Sequence, residues 1–153
     1  MADKIISKLN LLDISGQTDQ DRIDRAHNQI ELVDLVKVTQ LGKDIDKKNL
    51  NKELAVTFYF RTVSTNGHEY FPIVRFQENM TSKSPVRISC TCPDFNYRVA
   101  YALNSYDALY NPSAFADKVL NEPPTRTNPK VSPYMCKHLI IALKAMQEEG
   151  LIA

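Results

Sequence analysis

Three cysteines and one histidine, placed in two short segments, constrain the fold of this chain more than any other feature. The first segment reads CTCP from Cys90 and the second reads CKH from Cys136, and together they hold every cysteine of the 153 residues. Three thiolates and one imidazole form a complete tetrahedral ligand set for zinc and leave no position open for water. The sequence therefore predicts one structural zinc ion, bound by Cys90, Cys92, Cys136 and His138.

The spacing within each pair suits a shared ion. In extended chain, residues i and i+2 project to the same side, so Cys90 and Cys92 can both face the metal while Thr91 points away. Cys136 is predicted to begin the last helix, with His138 in its first turn. Partial positive charge at that helix start is expected to favour the thiolate form of Cys136.

The pattern Cys-x-Cys-Pro-x-Phe, followed at a distance by Cys-x-His, resembles the SWIM-type zinc finger, and the CKHL at 136–139 is similar to the way that finger enters its last helix. The chain departs from that family in its long insert, residues 93–135, which is rich in Tyr, Asn and Pro. A long version of this kind, with Tyr-Arg after the CPDF and Asn-Pro before the second ligand pair, looks most like small proteins encoded by tailed bacteriophages. The resemblance covers about residues 86–145 and implies a virion component such as a head–tail connector, tail or baseplate protein.

Other uses of the same side chains fit the sequence less well. An odd number of cysteines argues against a disulfide framework. A nucleophilic pair of Cys136 and His138 has no identifiable third group to orient the histidine. Three unrelated buried cysteines remain an alternative, but the paired spacing, the proline after the second cysteine and the histidine after the third favour metal binding. We therefore expect a protein that is not an enzyme and has no small-molecule substrate.

Composition limits the remaining hypotheses. A chain of 153 residues with 43% hydrophobic content can bury the core of one domain. Its apolar runs are too short to span a membrane, and the N-terminal MADKIISKLN lacks a signal-peptide pattern. A formal net charge of +1 provides no general attraction to nucleic acid. Composition indicates a reducing compartment without membrane contact, and the resemblance to phage proteins implies a virion or the host cytoplasm.

Periodicity predicts an α+β fold, with N-terminal helices, an antiparallel meander of three or four strands, and a zinc knot that joins the last strand to a C-terminal helix. The predicted strands are 32–40, for which a continued helix is the alternative, 54–63, 69–77 and 86–90. A turn at Asn66-Gly67 is expected to join the second and third strands. The predicted helices are 3–12 with Asp3 as a candidate cap, one that begins near Asp19, 95–110, one turn near 114–120, and a last helix that begins at Cys136 and runs to Glu149, where Gly150 stops it.

The predicted organisation is an N-terminal helical segment, residues 1–31, and a meander with the zinc-binding part, residues 32–153, within one compact domain. The first functional hypothesis is a structural or assembly protein, whose zinc site stabilises a surface for other protein subunits. The alternative is a nucleic-acid-binding or regulatory module. Its contacts would be the basic side chains predicted near the finger, which are Arg75, Arg87, Arg98, Arg126 and Lys137.

Overall fold

The fold is α+β, as predicted, and a computed structural model describes residues 6–125, 127–128 and 130–152. The strands are β1 Ile30–Gln40, β2 Lys43–Asp44, β3 Val56–Ser64, β4 Glu69–Tyr70, β5 Ile73–Phe76 and β6 Val86–Ser89. The α-helices are α1 Leu11–Gly16, α2 Gln20–Gln29, α3 Ala100–Ser105, α4 Asp117–Asn121 and α5 Lys137–Glu148. A π-helical turn, Phe95–Val99, precedes α3, and a 3-10 turn, Pro112–Ala114, follows it.

The sheet is antiparallel throughout, with the strand order β2-β1-β3-β5-β6 and with β4 paired to β3. The four longer strands form the predicted meander, and the two-residue strands β2 and β4 extend it. Along β3 the side chains alternate, so that Phe58 and Phe60 are buried while Tyr59 and Arg61 are only partly covered. One face of the sheet therefore carries the core and the other faces outward.

Helix α5 supplies much of the cover for the core face. Its buried side chains include Leu139, Ala142 and Met146, whose spacing of three and four residues places them on one side of the helix. They belong to the same apolar cluster as Phe58 and Phe76, whose rings meet edge to face at 6.1 Å between centroids. Because α5 begins at the second ligand pair, the core fixes the position of that pair relative to the sheet.

The predicted third strand is interrupted where the sequence contains Pro72. Proline has no N–H for a ladder, and the chain divides there into β4 and β5. The Pro72 carbonyl still accepts a hydrogen bond from the Phe60 N–H at 2.9 Å, so the hairpin with β3 remains continuous. The predicted turn is present, with Gly67 at φ +85°.

The predicted helix over 3–12 is wrong for residues 6–10, because α1 begins only at Leu11. Asn10 is its N-cap: the Asp13 N–H donates to the Asn10 side chain at 2.8 Å, and the Asn10 N–H donates to the Asp13 carboxylate at 3.0 Å. Just before this cap, the Leu9 carbonyl accepts from the Val86 N–H at 3.0 Å, beside β6. The candidate cap Asp3 lies outside the described residues.

The predicted helix over 95–110 is also shorter than expected. It starts as the π-helical turn, continues as α3, and ends at Ser105. Asp107, at φ +57°, then turns the chain back onto the outer edge of β6. There the Ile88 N–H donates to the Ala108 carbonyl at 3.0 Å and the Tyr110 N–H donates to the Ile88 carbonyl at 2.9 Å. These two hydrogen bonds satisfy backbone groups on the edge of β6 that would have no partner if the helix continued to residue 110.

The remaining helical predictions agree with the structure. Helix α2 begins directly after Asp19, and β1 replaces the alternative of a continued helix. The loop over 111–135 contains the 3-10 turn and the short α4. Helix α5 ends at Glu148, and Gly150 at φ +72° follows it. Within the described part of the chain, no helix is long and apolar enough to cross a membrane.

Shortening a core side chain of α5 tests this packing. Leu139→Ala should lower the free energy of unfolding by about 2–5 kcal/mol, because it removes buried methyl groups and leaves a cavity. Urea unfolding with metal ion in excess measures the change. Leu12→Ala, at an exposed position of α1, is the matched control and should change stability by less than ~0.5 kcal/mol. Equal losses in the two variants would contradict the assigned core.

Candidate metal centre

The first two ligand residues lie immediately after β6. The predicted strand extended to residue 90, but the ladder ends at Ser89, which pairs with the first residue of β5, Ile73. The chain beyond keeps its alternation, so that Cys90 and Cys92 are buried while Thr91 is exposed. The Thr91 hydroxyl accepts the Phe71 N–H at 3.0 Å, which holds it on the far side from the two sulfurs.

The other two ligand residues lie at the start of α5, as predicted. Cys136 is the N-cap, with extended φ and ψ of −70° and 164°, and its carbonyl accepts the Ile140 N–H at 3.1 Å. His138 is the second residue of the helix and is 2% exposed. The helix therefore holds both side chains against the end of the sheet.

The ligand atoms of Cys90, Cys92, Cys136 and His138 all lie within 4.8 Å of one another, and all four residues are buried. A tetrahedral site with metal–sulfur distances of ~2.3 Å has edges of ~3.8 Å between ligand atoms. The four side chains can therefore hold one metal ion in common, and the predicted ligand set is brought together completely.

The His138 ring supports this assignment independently. Both of its nitrogens are buried without a hydrogen-bond partner among the described residues. A buried polar atom left in this way costs about 1–3 kcal/mol, which a metal–nitrogen bond would remove for one of the two nitrogens. The Tyr70 ring packs beside the imidazole, with 4.7 Å between centroids, and limits its rotation.

The thiols also need a cation. Burial raises the pKa of Cys90 and of Cys136, whereas hydrogen bonds from the Cys136 and Cys90 side chains lower the pKa of Cys92. The expectation that the helix start would favour the thiolate of Cys136 is therefore wrong for the protein alone, because desolvation outweighs the helix dipole. Burial therefore opposes ionisation of Cys90 and Cys136 without a cation, and a bound metal ion would compensate the charge of the thiolates.

Arg22, on α2, joins the two ligand segments from outside. Its guanidinium donates to both Asp94 carboxylate oxygens, at 3.4 and 3.3 Å, two residues after Cys92. It also donates to the Tyr134 hydroxyl at 2.7 Å, two residues before Cys136, and lies 3.9 Å from the centroid of that ring. Burial and the Asp94 carboxylate raise the pKa of Tyr134 to about 12, so the phenol stays neutral at physiological pH. Sequence reasoning missed Arg22, since nothing local to α2 indicates its distant partners.

Two further hydrogen bonds attach the N-terminal part of the chain to the second ligand segment. The Thr18 hydroxyl oxygen accepts the Met135 N–H at 3.0 Å, and the Lys137 ammonium donates to the Gln29 side-chain carbonyl at 2.7 Å. Residues on both sides of Cys136 are therefore held, one by Gln29 of α2 and the other by Thr18, which lies two residues before that helix.

The basic side chains predicted near the finger divide into separate groups. Arg98 and Lys137 line one cavity of about 390 Å³ beside the metal ligands, together with Arg22 and Arg25. This pair lies beside the candidate metal ligands, and its role as a contact stays a prediction.

Arg75 and Arg87 lie elsewhere, as cross-strand neighbours on the outward face of β5 and β6. Arg75 donates to the Thr57 hydroxyl at 2.8 Å, and Arg87 donates to the Asp107 carbonyl at 3.0 Å. Arg126 lies outside the described residues. The predicted set therefore does not form a single basic patch within the described chain.

Comparison with protein-family models, with curated proteins and with solved structures gave no match to this chain. The likeness to SWIM-type fingers consequently remains a prediction from the sequence motif.

Replacing the imidazole tests the metal centre directly. Loss of a residue that only orients a ligand weakens metal binding by ~10–100-fold, so His138→Asn, which removes a ligand, should weaken it by more than ~100-fold. Elemental analysis of the purified protein and competition with a chromophoric chelator measure the effect. His68→Asn, an exposed histidine on the β3–β4 turn, is the matched control. A His138→Asn protein that keeps its metal at the original affinity would remove His138 from the ligand set.

Removing the Arg22 guanidinium tests its role as a positioning residue. Arg22→Gln should lower the free energy of unfolding by about 1.5–3 kcal/mol, because Asp94 loses its partly buried, charged hydrogen bonds. It should also speed transfer of the metal to a chelator, since both ligand segments are released from α2. Arg25→Gln breaks only an exposed ion pair with Asp21 and should cost less than ~1 kcal/mol. Unchanged metal transfer in Arg22→Gln would show that the arginine does not position the site.

Proposed function

We propose that this chain is a non-enzymatic, zinc-stabilised assembly protein of the SWIM-finger type that binds other protein subunits. The observation that carries the proposal is the closed, fully buried cluster of three sulfurs and one imidazole. Such a set saturates a tetrahedral ion, so its role is to hold the surrounding chain in place.

The donor set favours zinc over other metals. Thiolate-rich, four-coordinate sites select zinc or iron–sulfur chemistry, and one imidazole with three thiolates is a common structural zinc set. One site of four ligand atoms within 4.8 Å has room for a single ion. We therefore propose one structural zinc per chain.

Several features support an assembly role over catalysis. Every thiol of the chain is a proposed metal ligand, and burial separates the cluster from solvent. The metal joins the end of the sheet to α5 across the long insert, which stiffens the loops that surround it. A rigid frame with ordered loops suits a surface that other subunits recognise. The likeness of the long insert to small tailed-phage proteins makes a head–tail connector, tail or baseplate component the specific form of the proposal.

A nucleic-acid-binding module is the second candidate, and one observation favours it. Arg98 and Lys137, two of the predicted contacts, line the same cavity. Phosphate contacts release counterions, so binding of this kind would weaken steeply as salt concentration rises. The acidic Asp94 in the same lining and the net charge of +1 favour the assembly role instead.

The assembly role predicts that the chain co-sediments with a large particle. An affinity-tagged chain, expressed in its natural host cells, should sediment at a fixed stoichiometry with other subunits and carry one zinc. The His138→Asn variant should be lost from the particle because its ligand segments are released, while His68→Asn should be retained. Density-gradient sedimentation with quantitative mass spectrometry measures this. A wild-type chain found only as a free species of 17.4 kDa would contradict the proposal.

A further inference from the structure

A cavity beside the metal ligands has a strongly cationic lining. It lies between α2, the π-helical turn and the start of α5, and its volume is about 390 Å³. Four cations and one carboxylate line it, namely Arg22, Arg25, Arg98, Lys137 and Asp94. The cavity therefore offers a concentration of positive charge that the whole chain, with a net charge of +1, does not have.

Three of these cations are available to an incoming anion at low cost. Arg25 pairs with Asp21 at 2.8 Å through exposed side chains, and Arg98 pairs with Asp94 at 3.4 Å through side chains that are partly exposed. Ion pairs at the protein surface contribute only ~0.2–1 kcal/mol. Lys137 contacts the neutral side chain of Gln29 at 2.7 Å. Arg22 differs, because its side chain is 13% exposed and its donors are engaged by the ligand segments.

A second cavity, of about 490 Å³, shares Pro93 and Tyr97 with the first. Aromatic and apolar side chains form much of its lining, which includes Phe71, Ile73, Tyr110 and Phe115. Tyr97 is 67% exposed and Phe71 is 43% exposed, although both are large hydrophobic side chains. A cationic cavity and an aromatic cavity therefore adjoin along one continuous surface.

We propose that these two cavities together bind a linear segment of a partner protein. The carboxylate of an Asp or Glu enters the cationic cavity, where guanidinium groups can donate paired hydrogen bonds to it. A bulky apolar or aromatic side chain of the same segment enters the adjoining cavity and supplies the buried anchor. The inference rests on the proposed assembly role and assigns it a surface and a class of partner.

The charges around the cationic cavity favour such a segment over a polyanion. Asp94 lines the cavity, and Asp19 and Asp21 pair with Arg22 and Arg25 at its border. These carboxylates would repel a run of phosphates, whereas a single acidic side chain can approach the exposed cations alone. The apolar lining of the adjoining cavity would also contribute nothing to the binding of a ligand held by charge alone.

The open edge of the sheet is a weaker docking surface. Strand β1 pairs with β2 only at Thr39 and Gln40, so most of its outer edge has no strand partner in the described chain. Its register shifts twice, and it carries Asp34 and Lys37. Bulges and charges of this kind disfavour the addition of another strand.

Nuclear magnetic resonance titration with defined probes tests the surface. The first probe is N-acetyl-Glu-Phe-Leu-amide, which should bind the zinc-loaded chain with a dissociation constant of ~0.1–1 mM. It should shift the Arg25 and Arg98 side-chain N–H signals together with the backbone of Tyr97. The Gln-Phe-Leu peptide lacks the charge and the Glu-Ala-Ala peptide lacks the apolar anchor, and each should bind at least ~10-fold more weakly.

A double variant links the binding to the cavity. The double variant Arg98→Gln, Lys137→Gln should bind the peptide with an affinity at least ~10-fold lower than that of the wild type. The matched double variant Arg61→Gln, Lys43→Gln, on the sheet, should bind it with unchanged affinity. Both proteins must contain one zinc per chain by elemental analysis, because Lys137 lies between two ligands. Equal affinity for the charged and uncharged peptides, or no effect of the cavity variant, would overturn the proposal. The proposal would also be overturned if inorganic phosphate or a ten-nucleotide oligothymidine bound more tightly than the charged peptide at 0.15 M salt and shifted the same signals.

Co-sedimentation separates a failure of this inference from a failure of the assembly role. The zinc-loaded Arg98→Gln, Lys137→Gln chain should leave the particle that retains the wild-type chain. If both chains co-sediment equally, the assembly role stands and this surface is wrong. If neither chain co-sediments, the assembly role itself is wrong.

Discussion

Burial of three sulfurs and an imidazole within 4.8 Å of one another is the constraint on which the rest of this structure depends. Such a cluster is costly without a cation, because burial opposes ionisation and the ring nitrogens have no other partner in the described chain. In small metal-dependent domains a structural zinc contributes ~10–16 kcal/mol, which matches the whole stability of an ordinary domain. The contact between the sheet and α5 is therefore expected to depend on the metal, and with it the loops that surround the cluster.

The structure places a supporting layer around that centre. Arg22 contacts Asp94 and Tyr134, one beside each ligand segment, and thus α2 links the two segments from outside the candidate metal site. The same helix borders the cationic cavity, so the element that positions the ligands also shapes the surface proposed to bind a partner. Metal binding and partner recognition would then be linked through shared backbone, without any direct role for the ion in the contact.

Much of the fold was predictable because its signals are local. Alternation over β3, the glycine turn at Gly67 and the helical periodicity of α5 each depend on neighbours in sequence. The two wrong segments, residues 6–10 and 106–110, have a common physical cause. Both run along the outer edge of β6, where Leu9 and Ala108 accept backbone hydrogen bonds that the strand would otherwise lack. No local sequence pattern predicts these hydrogen bonds, because the free backbone groups of β6 exist only once the sheet has formed.

The sequence by itself determined the candidate ligand set, since the identity and spacing of three cysteines and one histidine are set before the chain folds. It also determined the class of fold, through periodicities of two and of three to four residues. Only the tertiary structure decided which distant groups surround those residues. It brought Arg98 and Lys137 to one cavity, where Arg22 also lies. It placed Arg75 and Arg87 elsewhere, on the outward face of the sheet. The physical reason is that a metal ligand can be recognised from its own side-chain chemistry. The composition of a surface depends instead on which distant residues long-range packing brings together.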